Sequence, residues 1–286
     1  MKRFFAFPLV RLVAIVGLFA ALLALVLVPL RAAHTSFIVV GWIAAALALA
    51  AMIVVERLTV GRGPAAIGLN PQHALRDLSA GVLLGAAMFS SVVLVLALAG
   101  FYRIVTVHVT RDLGVALLIL VPGAIFEEVL FRGVLFRLVE EWAGTWIALA
   151  VSALAFGLIH GANPGATWLS SAAIALEAGV LLAAAFVVTR NLWFPIAVHF
   201  AWNFCEGPLY GTQISGREFG VGLIEAHLAG PSWMTGGAFG PEAGLPAMVV
   251  GTVVAIALLV YAQRHAPYQR RRGQISDSGA TGSLQR

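Results

Sequence analysis

Apolar residues in this chain neither alternate nor recur at helical spacing; they run in long blocks separated by short polar stretches. Eight blocks stand out, at Leu9–Leu30, Phe37–Val55, Leu78–Phe101, Leu113–Val139, Trp146–His160, Trp168–Val188, Leu192–Phe204 and Leu245–Tyr261. A helix needs about 20 apolar residues to cross roughly 30 Å of hydrocarbon, so six blocks are long enough and the fifth and seventh are short. Helices satisfy their own backbone hydrogen bonds, which lipid cannot do for them. The pattern therefore predicts an all-α fold, a polytopic transmembrane helix bundle of about eight spans. The first block follows Lys2 and Arg3 as a signal peptide would, but its length exceeds the 7 to 15 residues typical of a signal-peptide core and favours an anchor.

Composition agrees. The chain has 286 residues, of which 60% are hydrophobic and only 11% charged, with mean hydropathy +0.95. Soluble domains carry about 25% charged residues, so a water-facing surface is excluded. The net charge of +5 does not indicate nucleic acid, because the basic residues lie between apolar blocks and form no stripe. Their placement reads as topology. With the N-terminus inside, the inner loops hold Lys2, Arg3, Arg57, Arg62, Arg76, Arg137, Arg190, Arg264 and Arg270 to Arg272, and the outer loops hold fewer basic residues. Both termini are thus expected in the cytoplasm. One membrane domain is expected over 1–262, with a disordered cytoplasmic tail over 263–286. The stretch Glu56–Asp77 reads as an interfacial elbow or a plain connector. Glu206–Gly244 is long enough to serve as a lid or binding surface. Cys205, the single cysteine, reads as packing.

Ionisable groups inside spans cost several kcal/mol, so each is a functional hypothesis. The fourth block contains Phe126-Glu127-Glu128-Val129-Leu130-Phe131-Arg132, the fifth ends Phe156-Gly157-Leu158-Ile159-His160, and the seventh contains His199-Phe200-Ala201-Trp202-Asn203. Residues four apart share a helix face, so Glu128 and Arg132 can pair. Glu127, rotated away from that pair, is left to exchange a proton as a general base or acid. His199 and Asn203, also four apart, aim two polar groups at one point, where they could stabilise an oxyanion. His160, from another helix, could share a water with Glu127. Bland readings compete: a Glu–Arg pair can be a helix clamp, and His and Asn can be interhelical glue. Glu177 stands alone in the sixth block and reads as packing or pore lining. Glu140 and Glu141, at a helix end, read as solvated.

Together, Glu-Glu-x-x-x-Arg at Glu127 to Arg132, Phe-x-x-x-His at Phe156 to His160 and His-x-x-x-Asn at His199 to Asn203 resemble the CPBP family. This family comprises CAAX proteases and bacteriocin-processing or bacteriocin-immunity proteins and includes the type II CAAX prenyl endopeptidases. The resemblance covers roughly Val115 to Cys205, and Thr235 to Gly244 also resembles a loop of bacterial members. It implies an intramembrane glutamic endopeptidase without a metal or other cofactor. In that reading Glu127 and His160 activate water, His199 and Asn203 hold the oxyanion, and Glu128 with Arg132 supports the site. The implied partners are membrane lipid and a membrane-associated peptide or protein, with no nucleic acid, and the implied location is a bacterial inner membrane.

Three alternatives stand beside this reading, one of them a transporter, drawn from Glu177 and the charges within the spans. Glu127, His160 and His199 could form a His₂Glu zinc site of a metalloprotease, although no His-Glu-x-x-His is present. A catalytically silent immunity or chaperone-like protein could instead use the polar cluster to bind a partner. Span counting also places His160 nearer the outer face than Glu127, which a displaced or broken fifth helix would repair.

Overall fold

The computed structural model describes residues 2–32, 34–108, 112–220 and 222–265. It is a helix bundle, and each apolar block carries a helix. We label these α1 (Pro8–Ala32), α2 (Phe37–Val60), α3 (Ala74–Leu98), α4 (112–143), α5 (Thr145–His160), α6 (Trp168–Thr189), α7 (193–209) and α8 (Leu245–His265). Among the described residues, six helices are long and apolar enough to cross a membrane, and α5 and α7 fall short of that length. The chain is an integral membrane protein. Helix α8 continues through His265, three residues into the stretch expected to be tail; the rest of that expectation, 266–286, lies outside the described residues.

Three helices contain π-helical segments. In α4 the segment is Val129–Phe136, in α6 Ala175–Gly179, and α7 continues past Phe204 as Cys205–Leu209. Such wide turns are uncommon and gather at functional sites. Here each adjoins or carries a buried acid: Glu128, Glu177 and Glu206 respectively.

The all-α expectation misses one element. The third helix stops at Leu98 rather than Phe101, Gly100 turns the chain at φ 79°, and β1 (Tyr102–Val107) pairs antiparallel with β2 (Ile224–Leu228). The β-branched run Ile104-Val105-Thr106-Val107 favours an extended backbone. Its partner lies far along the chain, which hid the pairing from local reading.

Helices α3 and α7 pack most intimately. Gly81-Val-Leu-Leu-Gly85 on α3 supplies two missing side chains on one face: a Cβ on Gly81 would lie 2.6 Å from Ala197 Cβ, and one on Gly85 2.4 Å from Val198 O. Small residues four apart let two helix backbones approach this closely. That contact fixes α7, and with it His199.

One end of the bundle is tied by ions. Arg11 donates from Nη1 to both oxygens of Glu56 at 2.9 Å and also binds Glu141, which Arg62 and Arg137 reach as well. Glu140, 2% exposed, accepts from Thr145 Oγ1 at 2.6 Å and from Arg190 at 2.5 Å. The solvated reading of Glu140 and Glu141 is therefore corrected: arginines brought from α1, the α2–α3 loop and the α6–α7 turn enclose them. The 56–77 stretch is a connector folded onto the bundle. It forms two short 3₁₀ turns, buries Ile67 in the core, and presents the Asn70 carbonyl to Asn191 and Trp193.

Candidate active site

The hairpin of α4 and α5 sets the level of the site. Glu127 and His160 stand nearly the same number of residues on either side of Gly144, where the chain turns with φ 88°. At about 1.5 Å of rise per residue both lie about 25 Å from that turn. Their apparent mismatch in depth arises because α4, apolar over 31 residues, is longer than a span needs to be while α5 is short. No break or displacement of α5 is required.

Glu127 Oε2 lies 3.9 Å from His160 Nε2 and 3.9 Å from His199 Nε2. Both separations exceed hydrogen-bond reach. This oxygen is buried and has no hydrogen-bond partner among the described residues. Around it is a cavity of about 250 Å³ whose wall includes Glu127, His160, His199, Asn203 and Phe156. The Asn203 carboxamide also lines the cavity. The structure thus gathers the four expected catalytic residues on one wall.

The hydrogen bonds fix which nitrogen of each imidazole faces Glu127. His160 Nδ1 lies 2.7 Å from Phe156 O, and a carbonyl only accepts, so Nδ1 carries the proton and a neutral ring turns its Nε2 lone pair to the cavity. His199 Nδ1 lies 2.9 Å from Glu128 Oε1, again an acceptor. For His199 Nε2 also to donate, the ring must be imidazolium, and the Glu128 carboxylate supplies the counter-charge. A neutral His160 thus presents an acceptor to the cavity, and an imidazolium His199 presents a donor.

Glu128 is fully buried and holds two partners at Oε1: His199 and, at 2.8 Å, Arg132 Nη1. Arg132, equally buried, donates through Nη2 to the carbonyls of Ala178 and Gly179 at 3.2 Å each, and its guanidinium stacks on Phe156 at 4.4 Å. Helix spacing predicts the Glu128–Arg132 pair. The link from Glu128 to His199 depends on how α4 crosses α7, which periodicity within one helix does not report.

Three residues on or behind the cavity wall were not expected in the site. Glu177 lines the cavity, as the pore-lining reading allowed. Glu242, from the 3₁₀ turn Pro241–Ala243, also lines it. Behind it Glu206 is buried completely. The two loop or helix-end acids drew no reading of their own in sequence because nothing local shows that 206–244 folds back into the bundle. It does so through Phe239, 1% exposed, whose carbonyl accepts from Gly216 N–H at 2.6 Å. Asn163, Ser215 and Arg217 complete the cavity lining at this end, with Arg217 exposed.

Among the described residues, no group of three or more His, Cys, Asp or Glu side chains has a geometry suited to holding a metal ion. No curated protein and no solved structure matches the chain significantly. Residues 109–205 match the family model described as Type II CAAX prenyl endopeptidase Rce1-like. The matched segment begins just before α4 and ends just past Phe204, so it includes Glu127, Glu128, Arg132, His160, His199 and Asn203. Over residues 109–205 the chain is thus similar to the Rce1-like type II CAAX prenyl endopeptidases.

Proposed function

We propose that this protein is an intramembrane endopeptidase that hydrolyses a peptide bond of a membrane-associated protein or peptide with water activated by Glu127. The observation that carries the reading is the unpartnered Glu127 Oε2, equidistant from two imidazole Nε2 atoms on the wall of a cavity. A buried acceptor left unmade costs free energy, and in this place its lone pair is available to a substrate water. Water bound there gives one proton to Glu127 and the other hydrogen bond to His160 Nε2, which points its oxygen lone pair outward. Attack on the peptide carbonyl places negative charge on its oxygen. His199 Nε2–H and the Asn203 carboxamide donate to that oxyanion, in a site dry enough for both to count. The Glu128 carboxylate, oriented by Arg132, favours the cationic His199 this step requires.

The arginine distribution further supports eight crossings with both termini in the cytoplasm of a bacterial cell, α5 and α7 crossing with the help of the backbone around them. In that orientation the cavity opens near Asn163, Ser215 and Arg217 on the outer face. Single-cysteine labelling tests this: in a Cys205→Ala background, Ser215→Cys should react with an impermeant maleimide from outside, and labelling only after membrane permeabilisation would reverse the topology.

The functional test compares membrane proteomes of wild-type cells and cells carrying Glu127→Gln. One or more membrane-associated polypeptides should accumulate uncut in the variant. Identical proteomes would remove the peptidase reading and favour the partner-binding alternative.

A further inference from the structure

Peptide hydrolysis also needs a proton on the leaving nitrogen, and the cavity holds a second carboxyl that water activation does not use. Glu242 is 3% exposed and lines the same cavity as Glu127 and His160. Its Oε1 accepts from Ser215 Oγ at 2.5 Å, and its backbone N–H donates to Glu206 Oε1 at 3.3 Å. The side chains of Glu206 and Glu242 stand close together. Two buried carboxylates so placed repel when both are charged, which favours a proton on one of them. Glu177 stands close to both, 1% exposed, with Oε1 lacking any partner among the described residues.

The two walls of the cavity therefore differ in charge. Arg132 and His199 act on Glu127 and Glu128. Among the described residues, no arginine or lysine is paired with Glu177, Glu206 or Glu242. The ionisable side chains facing Glu242 are Glu206, Glu177 and His160. Helix α8 packs on the Pro241–Ala243 turn but carries its Arg264 and His265 at its far end. Acidic groups in environments this different take opposite roles in proton transfer.

We infer that Glu242, backed by Glu206 and Glu177, is a further catalytic carboxyl of this site, donating a proton to the leaving nitrogen after Glu127 has taken one from water. The inference rests on the peptidase reading and extends it. In the first step Glu127 carboxylate accepts a proton from water, the water oxygen bonds to the carbonyl carbon, and the C=O electron pair moves to oxygen as the oxyanion. In the second the oxyanion re-forms C=O, the C–N bond breaks, and its electron pair takes the proton of Glu242. The products are a carboxylic acid and an amine. The amine then takes the proton held by Glu127, and the new acid returns its proton to Glu242 through the carboxyl cluster. Both glutamates are restored, leaving a carboxylate and an ammonium product. Burial supports the donor role by raising the proton affinity of Glu242 above that of an ordinary carboxyl, partly offset by the Ser215 hydrogen bond.

The test uses the full chain in lipid nanodiscs and the segment that accumulates uncut in Glu127→Gln membranes. That segment is made twice, as the peptide and as a depsipeptide with the scissile N–H replaced by oxygen. An alkoxide leaves with far less help from a proton than an amide nitrogen does. Glu242→Gln, close in shape, should lower kcat for the peptide about 10²-fold or more and leave the depsipeptide near the wild-type rate. Glu242→Asp should recover part of the peptide rate. The ratio of the two rates is independent of how much protein is folded, so an unstable variant still reports. Equal loss on both substrates, or no loss on either, overturns the inference while the peptidase reading stands. Glu127→Gln should lose both substrates, and its cleaving both at the wild-type rate would overturn water activation by Glu127, on which the inference rests.

Discussion

Replacing Glu128 by Gln separates its supporting role from the chemistry assigned to Glu127. Glu128 Oε1 receives one hydrogen bond from Arg132 at 2.8 Å and one from His199 at 2.9 Å, and none of the three side chains is more than 9% exposed. A carboxamide oxygen in the place of Oε1 can still accept from both partners, but it carries no charge, and its NH₂ takes the place of Oε2, which has no partner among the described residues. Arg132 keeps its two carbonyls at 3.2 Å and loses its counter-charge. Removing one partner from a buried ion pair costs about 3–5 kcal/mol, so Glu128→Gln should be much less stable than wild type. It should also lose the cationic His199, and deletion of one oxyanion donor costs about 10²–10³ in kcat. Glu127→Gln is the contrast, because Glu127 Oε2 has no hydrogen bond to lose. Denaturation followed by tryptophan fluorescence in detergent, run beside cleavage of the accumulating polypeptide, reads both quantities. Glu128→Gln should fail in both assays and Glu127→Gln in cleavage alone. A Glu128→Gln protein as stable and as active as wild type would refute the reasoning.

Three further outcomes are expected. Gly85→Leu puts a side chain where even a Cβ would lie 2.4 Å from Val198 O, so α7 must move with His199; cleavage should be lost with reduced stability, whereas a fully active variant would dissociate the α3–α7 contact from the site. Arg11→Met strips Glu56 of its bidentate partner and Glu141 of one of three arginines; by the same buried-pair magnitude it should lower stability by about 3–5 kcal/mol, measured by denaturant unfolding, while the rate per folded molecule stays unchanged. Cleavage should persist after dialysis against o-phenanthroline, and its loss with recovery on adding zinc would favour the metalloprotease alternative.

How much of this was legible in the sequence depended on whether a contact lies within one helix. Glu128 and Arg132 are four apart, and helix geometry alone pairs them. Glu127 was distinguished from Glu128 on the same ground. The bond from His199 to Glu128 joins α4 to α7, and its existence rests on the Gly81-x-x-x-Gly85 face that draws α7 against α3; that spacing was visible, yet its consequence for His199 was not. Simple counting put His160 nearer the outer face than Glu127, because His160 ends its block while Glu127 lies in the middle of a longer one. Glu140 and Glu141 looked solvated, and Glu242 drew no reading, since their enclosing partners come from remote segments. Arg11 went unremarked within an apolar block although a charge there needs a partner. The π turns, which change side-chain direction at Glu128, Glu177 and Glu206, leave no plain mark in residue spacing.

The central claim, that Glu127 activates a water which then cleaves a peptide bond, is tested most directly with purified protein in liposomes. Wild type and Glu127→Gln are given the accumulating polypeptide in H₂¹⁸O, and the new C-terminus is weighed by mass spectrometry. Wild type should cut at one bond and place ¹⁸O in the new carboxyl group, and Glu127→Gln, equally folded, should leave the chain intact. Cleavage by Glu127→Gln at the wild-type rate would contradict the account.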